Sequence, residues 1–221
     1  MRPLQIGVIR DASLYRANNA GRREAADAEY RAVRPSVMAA GKYTCAFCGW
    51  VSRAHNECHH LDGNHANNNP DNLVVADSLC HGYHHLGQRA SQERSALDNP
   101  VGQTILAAIP EISPSDLNLL QRAVGVALLQ EGEREIAKEI MRALAERSED
   151  VAQALGTYQP GDVAAAMTRL SDQEYEQRAA VCGPLRLLFN QDTLEAEGRK
   201  FLKDFPGLPF DTWTSVVKHA D

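Results

Sequence analysis

The chain has 221 residues, a formal net charge of −6 at pH 7 and a hydrophobic content of 43%. These values are typical of a globular protein with one ordinary domain or two small ones, and the absence of any run of 18 or more apolar residues excludes a membrane-spanning helix. The acidic excess lies mainly in the second half of the sequence, and no basic face is evident, which disfavours tight binding to nucleic acid through phosphate contacts. Since the N-terminus lacks a continuous apolar stretch followed by a cleavage site, we expect a cytoplasmic protein.

The sequence before the first cysteine predicts a short strand and then a helix. QIGVIR near the N-terminus is a short apolar run of the kind found in strands, and GRREAADAEYRAV has a helical composition. Pro35 predicts the end of that helix, because proline lacks the backbone N–H and its ring clashes with the preceding turn.

The segment from Thr44 to Gly87 contains four of the five cysteines and seven of the eight histidines. Its composition predicts a strand at NECHHLD, a loop of turn-forming residues at DGNHANNNPDN, a second strand at LVVA and a helix at LCHGYHHLG. The chemistry of the protein is therefore expected in a small strand–strand–helix unit. Cys182 lies outside it and is expected to be a buried apolar thiol.

The cysteine spacing predicts a structural zinc site. Two residues separate Cys45 from Cys48, which lets both sulfur atoms reach one tetrahedral ion. Cys80 is the third expected ligand, and Asp77 stands three residues before it, where a second Cys-x-x-Cys pair would have its first cysteine. Because a carboxylate oxygen can also bind zinc, Asp77 is the predicted fourth ligand, with Cys58 as its rival.

The histidines form a second group. His81 and His85 are four residues apart, so that on a helix both imidazoles project from one face and can hold one cation. His59 and His60 are adjacent on a predicted strand and point to opposite faces, so one can bind metal while the other has another role, such as general base. The remaining histidines are expected to be solvated: His55, His65, His84 and His219.

The second half of the sequence is predicted to be mainly helical. After a polar stretch from Ser91 to Pro100 and the apolar segment TILAAIPEI, the run Ser113-Pro114-Ser115-Asp116 predicts a helix start. Ser171 and Glu174 form a capping-box pattern before a later helix, and the aromatic tail is expected to dock on the body or to anchor a partner. An apolar stripe is expected to pack inward at Leu117, Leu120, Val124, Leu128, Ile136, Ile140, Leu144, Val151 and Leu155.

The segments ECHHLDG, NNNPDNL and CHGYHH resemble the HNH endonuclease, or ββα-metal, motif over roughly residues 45 to 85. The resemblance implies that a catalytic divalent ion (Mg²⁺, Mn²⁺, Ni²⁺ or Zn²⁺) is bound by His59, His81 and His85. It also implies that His60 is the base that activates water and that Asn72 fixes the loop and the base. The predicted fold is thus α+β. An HNH-like zinc module with an N-terminal strand and helix spans residues 1–95, and a mainly helical region spans residues 96–221.

The wider chain resembles the IcmJ/DotN family, components of the coupling-protein complex of type IVB secretion systems. The segments SLYRA, KYTCAFCGW, LDGNHANNNPDNLV and TILAAIPEISPSDLNLL carry this resemblance over roughly residues 6 to 130. It implies a zinc-bearing scaffold, peripheral to an inner-membrane complex, that binds the coupling ATPase and associated adaptor subunits. The family is expected to have four zinc-binding cysteines and degenerate histidines, whereas Asp77 replaces a cysteine here and the histidines are retained. A metal-dependent DNA endonuclease is therefore the alternative interpretation.

Overall fold

The computed structural model describes residues 1–10, 20–86, 103–208 and 210–213. The SLYRA segment, the polar stretch at 91–100, the predicted boundary between residues 95 and 96, His219 and the end of the tail lie outside these residues. The predicted α+β class and the mainly helical C-terminal region are confirmed. In chain order the elements are α1 Ala20–Ala40, β1 Glu57–His60, β2 Leu73–Ala76, α2 Ser78–His84, β3 Ile105–Ala108, α3 Pro114–Ala127, α4 Arg134–Glu146, α5 Ser148–Leu155, α6 Pro160–Met167, α7 Asp172–Glu176, α8 Arg178–Cys182, β4 Leu185–Leu188 and α9 Gln191–Asp204.

Two antiparallel strand pairs organise the fold. In the first, β1 pairs with β2 so that Glu57 lies opposite Ala76 and His60 opposite Leu73, and α2 follows directly. The predicted strand, strand and helix of this segment are confirmed. In the second pair, β3 and β4 join distant parts of the chain, with Ile105 opposite Leu188.

Two N-terminal predictions are wrong. QIGVIR forms no strand; it instead bonds to the end of α2, where the Gly7 N–H donates to the Tyr83 carbonyl at 2.8 Å. Helix α1 does not end at Pro35 but continues to Ala40. Burial of Met38 beyond the proline, in a small cluster with Cys58, Leu73 and Val75, offsets the loss of one helical hydrogen bond.

The main hydrophobic core contains residues from both predicted regions. Phe47, Leu79 and Tyr83 from the cysteine-rich segment are buried together with Leu106 and Leu187 from the second strand pair. The capping predictions are confirmed: the Ser113 side chain accepts from the Asp116 N–H at the start of α3, and Ser171 and Glu174 form the capping box of α7.

The predicted apolar stripe is wrong along α4 and at Leu155, which is 39% exposed at the end of α5. Ile136 is 53% exposed and Ile140 is 39% exposed, whereas Ala137, Met141 and Ala145 face the core. The two sets have the same helical period but are offset by one residue, or about 100° around the helix axis. The contacts of α4 with β3 and α3 decide which of the two sets is buried, and the periodicity of the sequence does not include them.

Helices α3 and α9 cross at two glycines. A Cβ atom on Gly125 would lie 2.1 Å from the Leu194 carbonyl oxygen, and one on Gly198 would lie 2.3 Å from the Gly125 carbonyl oxygen. Both distances are far below van der Waals contact, so only glycine permits this approach of the two backbones. The crossing brings α9 beside the cysteine-rich segment.

We expect Gly125→Ala to destabilise the protein by about 2 kcal/mol or more, because overpacking of this crossing outweighs the roughly 1 kcal/mol that alanine gains in a helix. Urea unfolding followed by circular dichroism measures the change. Gly132→Ala is the control, since no atom lies within 4 Å of a Cβ at that position. Equal stability of Gly125→Ala and the unmodified protein would contradict the packing argument.

Candidate metal centre

Four buried side chains from two segments meet in one group: Cys45, Cys48, Asp77 and Cys80. Their ligand atoms all lie within 4.8 Å of one another. Sulfur atoms around a tetrahedral zinc ion with Zn–S distances of about 2.3 Å are roughly 3.8 Å apart, a separation that lies within this limit. The group could therefore hold a metal ion, and its donor set fits zinc.

A tight turn presents the first two cysteines. The Cys45 N–H donates to the Trp50 carbonyl at 2.7 Å, and the Gly49 N–H donates to the Cys45 carbonyl at 3.0 Å. Gly49 has a φ of +79°, a left-handed conformation that favours glycine. This conformation explains why a glycine follows the second cysteine of the turn. Both thiols consequently point toward α2.

The two carboxylate oxygens of Asp77 have separate surroundings. Oδ1 accepts hydrogen bonds from the Leu79 and Cys80 N–H groups at 2.8 and 3.2 Å and from Arg122 Nη2 at 3.0 Å. Oδ2 lies 2.9 Å from the Cys48 sulfur. Asp77 is thus the N-cap of α2 through one oxygen and faces the thiols with the other, which is the oxygen available to a metal.

The structure does not bring Cys58, the rival fourth ligand, to this group. Cys58 packs in the small cluster with Met38, Leu73 and Val75. Burial raises the pKa of its thiol to about 11, with an opposing effect from Arg34, so it remains a neutral apolar group near pH 7.

Without a cation, the three thiols of the group cannot all ionise. Hydrogen bonds from Cys48 and Cys80 lower the pKa of Cys45, and the same hydrogen bonds raise the pKa values of Cys48 and Cys80. Burial, with the negative Cys45 beside it, raises the pKa of Asp77, although Arg122 opposes this. A divalent cation would offset the repulsion among these four groups.

Buried Arg122 links the group to α9. Its Nη1 donates to Glu197 at 2.7 Å, and its guanidinium lies 4.3 Å from the centre of the Trp50 ring. Ser78 also donates to Glu197, at 2.6 Å. Burial raises the pKa of Glu197, but Arg122, Lys200 and Ser78 outweigh it and hold the pKa below its ordinary value. The sequence gives no signal for this network, because its members are far apart in the chain.

A second group lies on the outer side of the same unit, with His59 on β1 and His81 and His85 at the end of α2. One ring nitrogen of each lies within 4.8 Å of the others. His59 Nδ1 and both ring nitrogens of His85 are buried and have no hydrogen-bond partner among the described residues. Such orphaned nitrogens are unusual, and an ion between the three rings would bind one nitrogen of each ring.

Burial keeps these imidazoles in the form that binds metal. It lowers the pKa of His85 to about 2 and also lowers that of His59, with smaller effects from the neighbouring histidines, so both rings are neutral near pH 7. His81 Nδ1 lies 2.6 Å from Glu57 Oε2, which leaves its Nε2 for a metal. This carboxylate–histidine contact is the arrangement that orients metal-binding histidines.

Three histidines are predicted to be solvated but pack against other groups. The His65 ring lies 5.1 Å from the His60 ring and 5.9 Å from the His85 ring, measured between centroids. The His84 ring stacks on His59 with centroids 4.5 Å apart, and burial lowers the pKa of His84 to about 4. His55 Nδ1 lies 3.0 Å from Asp204 Oδ2 on α9. The sequence did contain a signal for His84, since it follows His81 by three residues and so shares its helix face.

The role predicted for Asn72, which is to fix both the loop and the base, is divided between two asparagines. His60 Nε2 lies 3.1 Å from Asn68 Oδ1. Asn72 instead holds the preceding loop: it donates to Asp62 Oδ1 and to the Asn67 carbonyl, both at 2.9 Å. In the structure, Asn72 therefore contacts the loop, and Asn68 contacts His60.

A polar cleft of about 520 Å³ opens beside the histidines. His59, His60, His84 and His85 line one side, and the N-terminal segment with α7 and the start of α8 lines the other. Tyr175 fixes the N-terminal segment, because its hydroxyl accepts from the Val8 N–H at 2.9 Å and donates to the Val8 carbonyl at 3.1 Å. The histidine group is thus reachable by solutes.

The fold and these groups define an α+β protein with a buried Cys/Asp group that could hold a metal. No family model matches the chain. The chain is 28% identical over 131 residues to the type 4 apparatus protein DotN of Legionella pneumophila, in an alignment that covers 59% of this chain and 58% of that protein. This similarity supports the resemblance to the IcmJ/DotN family that the sequence motifs indicate. Within the described residues, no helix has the length and apolar character to cross a membrane.

Proposed function

We propose that the protein is a zinc-binding scaffold subunit of a type IVB secretion coupling complex, located in the cytoplasm and bound to the coupling ATPase and its adaptor subunits. The observation that carries the proposal is the buried Cys45, Cys48, Asp77 and Cys80 group in a chain similar to DotN. Four buried donors form a closed site, which is typical of structural rather than catalytic zinc.

The donor set favours zinc over other common ions. Thiolates are soft ligands that select zinc, whereas magnesium and calcium require oxygen ligands. Three thiolates and one carboxylate give the bound ion a surplus of negative charge, and Arg122 lies against Asp77 to offset part of it. The hydrogen bond from Asn118 Nδ2 to the Cys80 sulfur, at 3.4 Å, also offsets part of this negative charge.

Co-purification with the C-terminal segment of the coupling ATPase tests the scaffold function. We expect the full chain to retain that segment and to carry one tightly bound zinc ion, measured by elemental analysis. A matched sample treated with a chelator is expected to lose both the ion and the segment. Failure to bind any such segment while the zinc is retained would contradict the scaffold proposal without contradicting the metal site.

The second candidate function is a metal-dependent DNA endonuclease, which the preassembled His59, His81 and His85 group favours. A divalent ion there would stabilise the charge that develops on a phosphodiester. His60 would take a proton from the attacking water, and Asn68 would hold its ring through the contact to Nε2. Plasmid nicking with Mg²⁺, Mn²⁺ or Ni²⁺, compared with His60→Ala, tests this function, and absence of nicking by both proteins would eliminate it.

We expect Glu57→Gln to weaken binding of a divalent ion at the histidine group by about 10- to 100-fold, the usual effect of removing a carboxylate that orients a histidine ligand. Titration with Ni²⁺ or Co²⁺, monitored by absorption and calorimetry, measures the change. Asp71→Asn is the control, because Asp71 is an exposed carboxylate on the nearby loop. Equal affinities in the two variants would contradict the role of Glu57.

A further inference from the structure

Arg186 on β4 is a buried cation without a carboxylate partner among the described residues. It is only 5% exposed, and its Nε and Nη1 groups donate to the backbone carbonyls of Ile112, Gly183 and Leu185 at 2.6 to 2.8 Å. These carbonyls fix the guanidinium but carry no net charge. Buried arginines are almost always paired, as Arg122 is with Asp77 and Glu197 in this protein.

Arg178 has the same arrangement. Its Nε donates to the Ile6 carbonyl at 3.0 Å and its Nη1 to the Tyr175 carbonyl at 2.9 Å, and its guanidinium lies over the Tyr175 ring. No ion pair joins it to a carboxylate in the part of the chain that the structure describes. The Nη2 groups of Arg178 and Arg186 therefore have no acceptor among the described residues and can donate hydrogen bonds to a ligand. Glu111 adds to the negative field at Arg186, but it is fully exposed and bonds to Arg147.

Both arginines line one pocket of about 220 Å³ between the N-terminal segment and α8. The rest of its wall is mainly apolar and includes Leu4, Ile6 and Leu185. A pocket of this size is smaller than the roughly 300–1,000 Å³ of sites for drug-sized molecules. It combines two cations with a hydrocarbon surface in a small volume.

We propose that this pocket binds a small organic acid, with its carboxylate on Arg178 and Arg186 and its short aliphatic chain against Leu4, Ile6 and Leu185. Guanidinium groups bind carboxylates through charge-assisted hydrogen bonds, and the anion supplies the charge that the buried Arg186 lacks. The apolar wall favours an aliphatic acid over inorganic phosphate, which would be left with poorly solvated oxygens. Arg178 also lines the cleft beside the histidines, but the pocket contains no residue of either metal-binding group and does not depend on the function proposed above.

Ligand-observed NMR with the full chain tests the site, with pentanoate as the probe. We expect pentanoate to bind at least tenfold more tightly than pentanamide, which has the same shape without the charge, and than inorganic phosphate, which has the charge without the chain. Equal binding of pentanoate and pentanamide would overturn the role of the arginines. Tighter binding of phosphate would overturn the assignment of an organic acid.

Two variants locate the binding. Ala179→Leu places a larger side chain in the pocket wall and leaves both arginines in the sequence, and Ala180→Leu makes the same change at the next exposed position, outside the wall. We expect Ala179→Leu to lose pentanoate binding at least tenfold and Ala180→Leu to retain it. Arg178→Gln, at a half-buried position that tolerates exchange better than Arg186, is also expected to lose at least tenfold. Unchanged binding in Ala179→Leu would overturn the proposal.

Discussion

Asp77→Ala is expected to abolish zinc binding and to lower the free energy of unfolding by at least about 4 kcal/mol, since removing one member of a buried ion pair costs roughly 3–5 kcal/mol and removing an N-cap about 1 kcal/mol. The substitution removes the oxygen that faces Cys48, the cap of α2 and a partner of Arg122. Elemental analysis and urea unfolding measure the two effects.

Cys58→Ala is the matched control for Asp77→Ala. Cys58 is buried but packs away from the metal group, so its replacement should keep one zinc ion per chain and cost only about 1 kcal/mol for the lost packing. Asn is a further test at position 77, because Asp77→Asn preserves the shape and the cap but removes the charge. Loss of zinc from Cys58→Ala together with its retention in Asp77→Ala would make Cys58 the fourth ligand.

Arg122→Met is expected to destabilise the protein by about 3–5 kcal/mol, because the buried carboxylates of Asp77 and Glu197 lose their shared counter-charge. Methionine fills a similar volume against Trp50, so the loss reports charge rather than a cavity. Arg134→Met is the control: the contact of the exposed Arg134 side chain on α4 with Glu195 on α9 is long, 3.6 Å, and surface pairs of this kind contribute about 0–1 kcal/mol. Similar losses in the two variants would contradict the role of the buried network.

The pH dependence of stability provides a second measurement for Arg122→Met. The pKa of Glu197 in the folded protein lies below its ordinary value of 4.5, so its ion pair contributes stability above that pH, and the contribution is lost as the pH falls through the folded pKa. Arg122→Met removes one of the groups that hold this pKa down, so the Glu197 pKa is higher in the variant than in the unmodified protein and the variant loses less stability on acidification. The stability difference between the two proteins should therefore shrink as the pH is lowered below 4.5.

The parts of the fold that the sequence predicts are those set by neighbouring residues. The Cys45–Cys48 spacing, the two strands around the asparagine-rich loop and the caps at Ser113 and Ser171 depend on local geometry, and the structure has each of them in place. The same local signals failed at Pro35, because the burial that carries α1 past the proline comes from β1 and β2.

Long-range pairing could not be read from the sequence. The pairing of β3 with β4 and the contacts of Arg122 join segments that no periodicity connects. The same holds for the asparagines, since Asn68 and Asn72 both stand in the loop and only the folded path places Asn68 on His60. His84 differs from these cases, because its helical spacing from His81 is sufficient to predict that it lies beside the histidine group.

Because Arg122 bonds at once to Asp77 and to Glu197, the metal group and α9 share one guanidinium. If an ion in the metal group strengthens the contact of α9 with Arg122, thermodynamic reciprocity requires that this contact strengthens binding of the ion by the same factor. A partner that displaced α9 from α3 would then weaken binding of the ion, and a partner that held α9 against α3 would strengthen it. Helix α9 would thus affect the metal affinity of the protein, although none of its residues belongs to the metal group.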